Sequence, residues 1–323
     1  MKPKVAVIGT TFMDCKGFAK QQYDPLGRNL GHIRFFHGGV GRNVVENLAY
    51  LGLSTYFVST VDNSALGQEV INRLKRTKVN TEFLTTVEEK GMGMWLAILD
   101  QKGDLAGSIS QMPDLSLLEK HIHEHGHQMM ETCSHVVLEL DLNKNISYQV
   151  VKLAQTFGKP VYGLPGNLEV VLNHQELLLF TDCFICNEIE AAKLFGQNIL
   201  GQEIAVIQNE LKTFVSNAKM KAMVVTLGDR GAVFYDRQRE ESGYQPALPT
   251  RVVDSSGAGD AFFSGTVWGL TYERPLCEAV IYGTKVASWT IQVDENTCSV
   301  IPDMMRKDEH FKAMLKLLNK AAG

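Results

Sequence analysis

The sequence predicts an α/β fold in which helices cover both faces of a mostly parallel sheet and a small antiparallel β-sheet lid projects from the body. Three observations predict it. Short apolar runs alternate with helix-like stretches through most of the 323 residues. Two regions break that alternation with pairs of strand-like runs, and small, glycine-rich segments open two of the helical stretches.

The alternation begins with a strand over 5–9 and a helix over 41–51, whose apolar residues at 40, 44, 45, 48, 49 and 51 mark one face. A strand over 54–61 and a helix near 66–77 follow. Later strands over 134–140, 160–164, 183–186 and 223–227 are separated by helical lengths, the pattern of parallel strands joined by crossovers. The exceptions are 13–20 with 31–37, and 93–100 with 104–110, the second pair turning at Gln101-Lys102-Gly103-Asp104. With no helix between their members, these read as the lid, which at a site serves to exclude water. The whole of 1–323 is expected to form one domain with the lid inside it.

Hydrophobic residues make up 45% and charged residues 21% of the chain. A chain this long buries roughly 75% of its unfolded surface, so it needs no disulfide or structural metal. Thirty-two basic against 36 acidic residues give a net charge of −4 with the signs interspersed, which argues against nucleic acid or an anionic membrane as partner. No apolar run approaches the ~20 residues that span a bilayer. The N-terminal residues lack a secretory h-region, so a cytoplasmic location is expected. Cys15, Cys133, Cys183, Cys186, Cys277 and Cys298 are expected to be reduced thiols. Cys183 and Cys186 have metal spacing but no second pair, and read as buried strand residues. His121, His123, His125 and His127 advance about 200° per step on a helix and read as a solvated face.

No Gly-x-x-x-x-Gly-Lys-Ser/Thr segment occurs, and Gly9 is followed by Thr10-Thr11-Phe12-Met13-Asp14, not a dinucleotide fingerprint. The segment Asp254-Ser255-Ser256-Gly257-Ala258-Gly259-Asp260 instead places small residues ahead of a helical pattern, where unpaired amides form a cradle for phosphate. Asp260 falls in the first helical turn, within reach of a group held there. As a carboxylate it can take the proton of a hydroxyl attacking phosphorus, or it can merely complement the helix dipole. Gly38-Gly39-Val40-Gly41-Arg42-Asn43 opens the other helix. Its glycines permit close approach of a ligand, and Asn43 offers a donor and an acceptor for hydroxyls, although a purely structural glycine turn fits equally.

Together these stretches resemble the signatures of the ribokinase/PfkB family of carbohydrate and nucleoside kinases, a Gly-Gly segment early and Asp-Thr-x-Gly-Ala-Gly-Asp late. Asn187-Glu188-Ile189-Glu190 is similar to the family's Asn-x-x-Glu, and 224–231 to its nucleotide-binding strand and turn. The resemblance implies transfer of the γ-phosphoryl group of ATP to a hydroxymethyl group of a nucleoside or sugar. By position it makes Asp260 the base, with a low pKa, and Gly257, Ala258 and Gly259 the anion hole. Asn187 and Glu190 would organise Mg²⁺ and phosphate through water, and Thr226 and Gly228 would touch the ATP phosphates. Asp14, Gly38, Gly39, Asn43 and Asp141 would hold the acceptor. Asp254 opens a loop that in several relatives binds a monovalent cation, which extends the expectation to K⁺.

Within the family, residues 38–52 are most similar to pseudouridine kinases, and pseudouridine is the expected acceptor. Three positions depart. Leu164-Pro165 stands where many relatives have Asp-Pro, Gln111-Met112-Pro113 where pseudouridine kinases have an Asn-Asp-like pair, and His37 where Pro is commoner. Another nucleoside or a sugar is the alternative. A sugar phosphate would need cations, with Arg28, Arg34 and Arg42 the candidates if they are not solvated. A silent ligand-binding regulator is the reading outside catalysis, and a homodimer through the lid is the expected assembly.

Overall fold

The computed structural model describes residues 2–140, 142–166 and 168–322, with side chains through Leu318. Thirteen strands are formed among them: β1 (Lys4–Ile8), β2 (Phe12–Ala19), β3 (Gly31–Gly38), β4 (Ser54–Asp62), β5 (Leu84–Val87), β6 (Gly93–Leu99), β7 (Leu105–Gln111), β8 (His135–Glu139), β9 (Val161–Leu164), β10 (Cys183–Asn187), β11 (Ala222–Thr226), β12 (Ala232–Asp236) and β13 (Glu241–Gln245). The large sheet runs β13-β12-β11-β10-β9-β8-β1-β4-β5. From β11 to β5 all neighbours are parallel, and the β12–β13 hairpin closes one edge antiparallel. That hairpin was not anticipated.

Successive residues of β1 serve opposite faces, as the period of two requires. Val5 and Val7 join the core under helices Val40–Tyr50, Ala258–Thr271 and Leu276–Thr290. Ala6 and Ile8 join the core under Leu115–Thr132, Lys144–Thr156 and Ile204–Asn217. With both faces dry, the strand must be apolar throughout, which is why the parallel strands read as continuous runs. Cys183 and Cys186 lie buried on β10, and all six cysteines are free thiols. No helix among the described residues is long and apolar enough to cross a membrane. His121 is half-buried with its ring tilted against that of His125, 4.7 Å between ring centres, while the other three histidines of that helix are exposed.

From β1 the chain proceeds to β4 and β5 on one side and to β8 and its successors on the other. Strand order therefore reverses at β1/β8, and a crevice opens at the carboxyl ends of those strands. The small sheet, ordered β3-β2-β6-β7, stands over this end. Its outer hairpins are antiparallel and are joined through a parallel β2–β6 pair. The register gives it two unlike faces. Asp14 lies opposite Phe36 and Trp95 on the inner face, while Cys15 lies opposite Phe35 and Leu96 on the outer one. The outer face leaves Ile33, Phe35, Leu96 and Ile109 from 41% to 69% exposed.

Candidate active site

Helix Ala258–Thr271 is preceded by Gly257 at φ 76°, a conformation that costs other residues dearly. A Cβ there would also stand 2.1 Å from the Asn296 carbonyl oxygen, so this position is restricted to glycine twice over. The Ala258 amide donates to the Ser255 carbonyl at 3.2 Å, and that of Ala261 to Gly257 at 2.9 Å. Ala258 is thus turned away from the expected anion hole. Among the described residues the amides of Gly257, Gly259 and Asp260 have no acceptor, and nothing lies within 4 Å of the Cβ that Gly259 lacks. The result is an open cradle of donors at a helix N-terminus.

Asp260, in that first turn, accepts a 2.7 Å hydrogen bond on Oδ2 from the Asn43 amide. Burial pushes its carboxyl up to about 6, against the Asn43 hydrogen bond and the Arg42 charge, which pull it down, with the Glu190 charge adding to the rise. The low pKa expected from the helix dipole is therefore corrected: desolvation outweighs the Asn43 hydrogen bond and the Arg42 charge that oppose it. A base of pKa near 6 is still ionised at neutral pH. If Asp260 takes the acceptor proton, kcat/KM should fall tenfold per unit below pH 6. Asn43→Ala removes a bond that favours the charged form, so the acid limb of its profile should move to higher pH. An unchanged limb in a pH-rate titration would separate Asp260 from the rate.

Asn43 itself is held by its neighbour. Arg42 is fully buried and donates to the Gly38 carbonyl at 2.9 Å, to the His37 carbonyl at 2.7 Å and to Asn43 Oδ1. Its remaining Nη meets Glu46 at 2.9 Å, and Glu46, also fully buried, accepts from Arg73 Nε at 2.9 Å and Thr297 at 3.0 Å. Arg42 is therefore neither a solvated residue nor a cation open to a substrate phosphate. Arg34, the second such candidate, pairs with Asp294 at 3.2 Å, and Arg28 lies exposed in the loop before β3.

Two cavities lie near this helix N-terminus, the first through Asn43 and Asn296 and the second through Ala258 and Gly259. The first, about 380 Å³, is lined by Thr10, Phe12, Asp14, Gly38, Gly39, Asn43, Trp95, Met112, Glu139 and Asn296 among others. It gathers four of the five acceptor residues expected from sequence; the fifth, Asp141, lies outside the described residues. Gly39 has φ 95°, and a Cβ on Gly38 would meet the Asp14 carboxylate at 2.7 Å, so the glycines let the backbone pass against that side chain. Burial raises the Asp14 pKa, against the charges of Lys16 and Arg42. Glu139, Trp95 and Asn296 are additions. Glu139 is buried at the end of β8 and accepts from the Thr10 amide at 2.8 Å and the Thr10 hydroxyl at 3.0 Å. Its place at the carboxyl end of a strand beside the reversal point is the signal that could have found it. Leu164 is packed in the core and takes no part.

The second cavity, about 600 Å³, is mostly apolar and is lined by Thr226, Gly228, Gly231, Leu248, Val252, Ala258, Gly259, Phe262 and Ile291 among others. Its polar end is the cradle, and its apolar walls suit a flat base. Gly228, at φ 63°, turns the chain after β11, where the Thr226 hydroxyl lies 3.4 Å from the Cys186 carbonyl. Asn187 and Glu190 form a reciprocal cap on helix Glu188–Phe195: Asn187 Oδ1 accepts the Glu190 amide at 2.9 Å, and Glu190 Oε2 the Asn187 amide at 2.8 Å. Among the described residues no group of three His, Cys, Asp or Glu could hold a metal by itself. One carboxylate, close enough to Asp260 to raise its pKa, fits Mg²⁺ arriving on the phosphates of a nucleotide. At Asp254, burial raises the pKa but the amide and hydroxyl of Ser256 and the charge of Lys16 outweigh it, leaving the carboxyl below its ordinary value.

A carboxylate hydrogen-bonded to one cavity's lining, on a helix whose first turn offers an amide cradle to a second, is an arrangement suited to moving a phosphoryl group between two bound molecules. The sequence matches the model of the pfkB family carbohydrate kinases over residues 2–303. The chain belongs to that family. It is an ATP-dependent phosphotransferase with a sugar or nucleoside acceptor. It is 38% identical over 305 residues to guanosine-inosine kinase of Exiguobacterium acetylicum, covering 94% of this chain and 98% of that one. It is 23% identical over 294 residues to pseudouridine kinase of Escherichia coli, covering 91% and 92% respectively. In fold it is similar to Arabidopsis thaliana ribokinase complexed with ribose and ATP, with TM-score 0.81 at 20% identity over 96% of this chain and 100% of that one. The pfkB-family fold thus extends over the large sheet and the lid together.

Proposed function

We propose that this chain phosphorylates the 5′-hydroxyl of a purine nucleoside with ATP, acting as one kinase domain with Asp260 as general base. The observation that carries the reading is the Asn43–Asp260 hydrogen bond, which joins a residue lining the first cavity to the first turn of the helix whose Ala258 and Gly259 line the second. The 38% identity to a guanosine-inosine kinase supports the purine nucleoside. Met112 supports it too: where pseudouridine kinases carry a polar pair, this chain turns an apolar side chain into the acceptor cavity beside Trp95 and Phe12. Pseudouridine, the acceptor suggested by residues 38–52, is the competing reading.

In the proposed step Asp14, Asn43 and the Gly38-Gly39 backbone orient the acceptor hydroxyls. Asp260 takes the hydroxyl proton as the new O–P bond forms and the bond to the β-phosphate oxygen breaks. The amides of Gly257, Gly259 and Asp260 receive the transferring group, and Thr226 and Gly228 steady the phosphates behind it. Asn187 and Glu190 would hold Mg²⁺ through water, which would neutralise phosphate charge, and Asp254 would hold K⁺ beside the cradle. The six free thiols suit a reducing, cytoplasmic setting.

The test is ADP release with Mg-ATP and K⁺ against guanosine, inosine, adenosine, uridine, pseudouridine, ribose and fructose 6-phosphate. Turnover of guanosine or inosine should exceed that of pseudouridine by at least about tenfold, the discrimination one well-placed pocket contact supplies. Turnover confined to pseudouridine or to a sugar would replace the acceptor, and none with any would favour a silent regulator. For assembly, the apolar outer face of the lid supports a homodimer. Ile33→Asp with Ile109→Asp should halve the mass seen by light scattering, and a wild type that scatters as a monomer would refute the dimer.

A further inference from the structure

A third cavity, about 640 Å³, lies at the amino end of β4, away from the carboxyl ends of the strands that carry the active site. Helix Val40–Tyr50 runs from one to the other: Asn43 near its start lines the acceptor cavity, and Tyr50 at its end lines this one. The wall carries Lys2, Arg76 and Lys78 and, among the described residues, no carboxylate. Arg73, one turn earlier than Arg76 on helix Ala65–Arg76, is taken by Glu46 and Glu295. Among the described residues the other three cations have no acidic partner.

Cations at a helix C-terminus ordinarily answer the carbonyls left open there. At this helix end the carbonyls of Arg73, Leu74 and Lys75 already accept the amides of Thr77, Val79 and Lys78. Thr55 adds an unspent group of a second kind. It is 2% exposed and forms part of the same wall, and its hydroxyl has no hydrogen-bond partner among the described residues. A buried hydroxyl left unpaired costs stability that an acceptor oxygen on a ligand would restore. Tyr50 and Tyr56, both half-buried, give the wall aromatic surface. What satisfies these groups together is an anion with several acceptor oxygens. A phosphate monoester has close to two negative charges at neutral pH and three such oxygens, enough for the cations and the hydroxyl at once.

We propose that this cavity is a second binding site, distinct from the active site, for a phosphate monoester. Arg76, Lys78 and Lys2 take the charge of the phosphate, the Thr55 hydroxyl donates to one of its oxygens, and a ring on the ester, where there is one, lies against the tyrosines. The proposal goes beyond the kinase reading and does not rest on it.

The experiment uses thermal melts and titration calorimetry on the full chain, with a non-hydrolysable ATP analogue and inosine present to occupy the other two cavities. The probes are inorganic phosphate, ribose 5-phosphate and inosine 5′-monophosphate, each at about 10 mM against potassium chloride of equal ionic strength. At least one should raise the thermal midpoint of wild type by about 2 °C, the gain from a ligand at roughly tenfold its Kd. Equal gains from all three assign the site to the phosphate alone, and a gain largest with the nucleotide adds the tyrosines to it. Arg76→Gln and Lys78→Gly should each weaken binding about tenfold. Glycine suits the φ of 63° at position 78, so the second variant keeps the fold. Thr55→Val should leave the free protein as stable as wild type and still weaken phosphate binding about fivefold. The proposal is overturned by no gain with any probe, by a gain undiminished when Arg76→Gln and Lys78→Gly are combined, or by unchanged phosphate affinity in Thr55→Val. None of these readouts is turnover, so this site and the kinase reading fail separately.

Discussion

Asp260→Ala should lower kcat by about 10² to 10⁴-fold, some 3 to 5.5 kcal/mol of barrier, while ATP affinity changes little. The magnitude follows from what is removed. The cradle amides of Gly257 and Gly259 stay where they are, because Gly257 and the helix behind it do not depend on the carboxylate, so the nucleotide still binds. What is lost is the group that accepts the hydroxyl proton, and with it the negative end of the Asn43 hydrogen bond. The residual rate should also lose the acid limb near pH 6 that the buried carboxyl gives the wild type. Steady-state kinetics with calorimetric ATP binding separates the two effects. Retention of more than half of wild-type kcat would dismiss Asp260 as the base.

Glu46→Ala should be the most destabilising single change near the site, by about 3 to 5 kcal/mol, because it leaves Arg42 fully buried without its carboxylate. For a chain of this size that corresponds to a fall in Tm of about 4 to 7 °C. Burial by itself would raise the Glu46 pKa, and the paired charges of Arg42 and Arg73 reverse this and hold it below the usual range. Its contribution is therefore present at neutral pH and is lost as the pH falls through that lowered value. Arg42 also fixes the carbonyls of His37 and Gly38 and the side chain of Asn43, so kcat should decline along with stability. Thermal melts of Glu46→Ala and of the Arg42→Met/Glu46→Leu pair test this. The double variant should recover part of the loss but not the activity, and a single variant melting within 2 °C of wild type would contradict the account.

What could be read in advance was local. The cradle and Asp260 lie within a few consecutive residues, and the lid strands announced themselves by lacking helices between them. The parallel strands were legible because both their faces are dry. The Arg42–Glu46 pair shows the limit: four residues apart on a helix, it has the spacing of a solvated ion pair. It is buried because Arg73 and Thr297, remote in sequence, close over it. Glu139 reaches Thr10 across 129 residues, and Asn296 reaches His37 across 259. Contacts of that separation depend on strand order, which no stretch of sequence carries. The Asp260 pKa was misjudged for a related reason, since the helix dipole is visible in a sequence and desolvation is not. The tie of the Ala258 amide to Ser255 is likewise set by the turn geometry, which no stretch of sequence carries.

The two sheets divide the acceptor cavity between them in an unequal way. Trp95, Ser110 and Met112 come from the lid or its border, whereas Asp260 sits on a helix whose next nine residues are all buried. On the proposed reading, recognition is built on surface strands that tolerate change, and reactivity on the least deformable part of the body. An engineer wishing to redirect this enzyme to a new alcohol could randomise positions 95, 110 and 112 as a library, leaving the catalytic framework untouched, and screen for appetite alone.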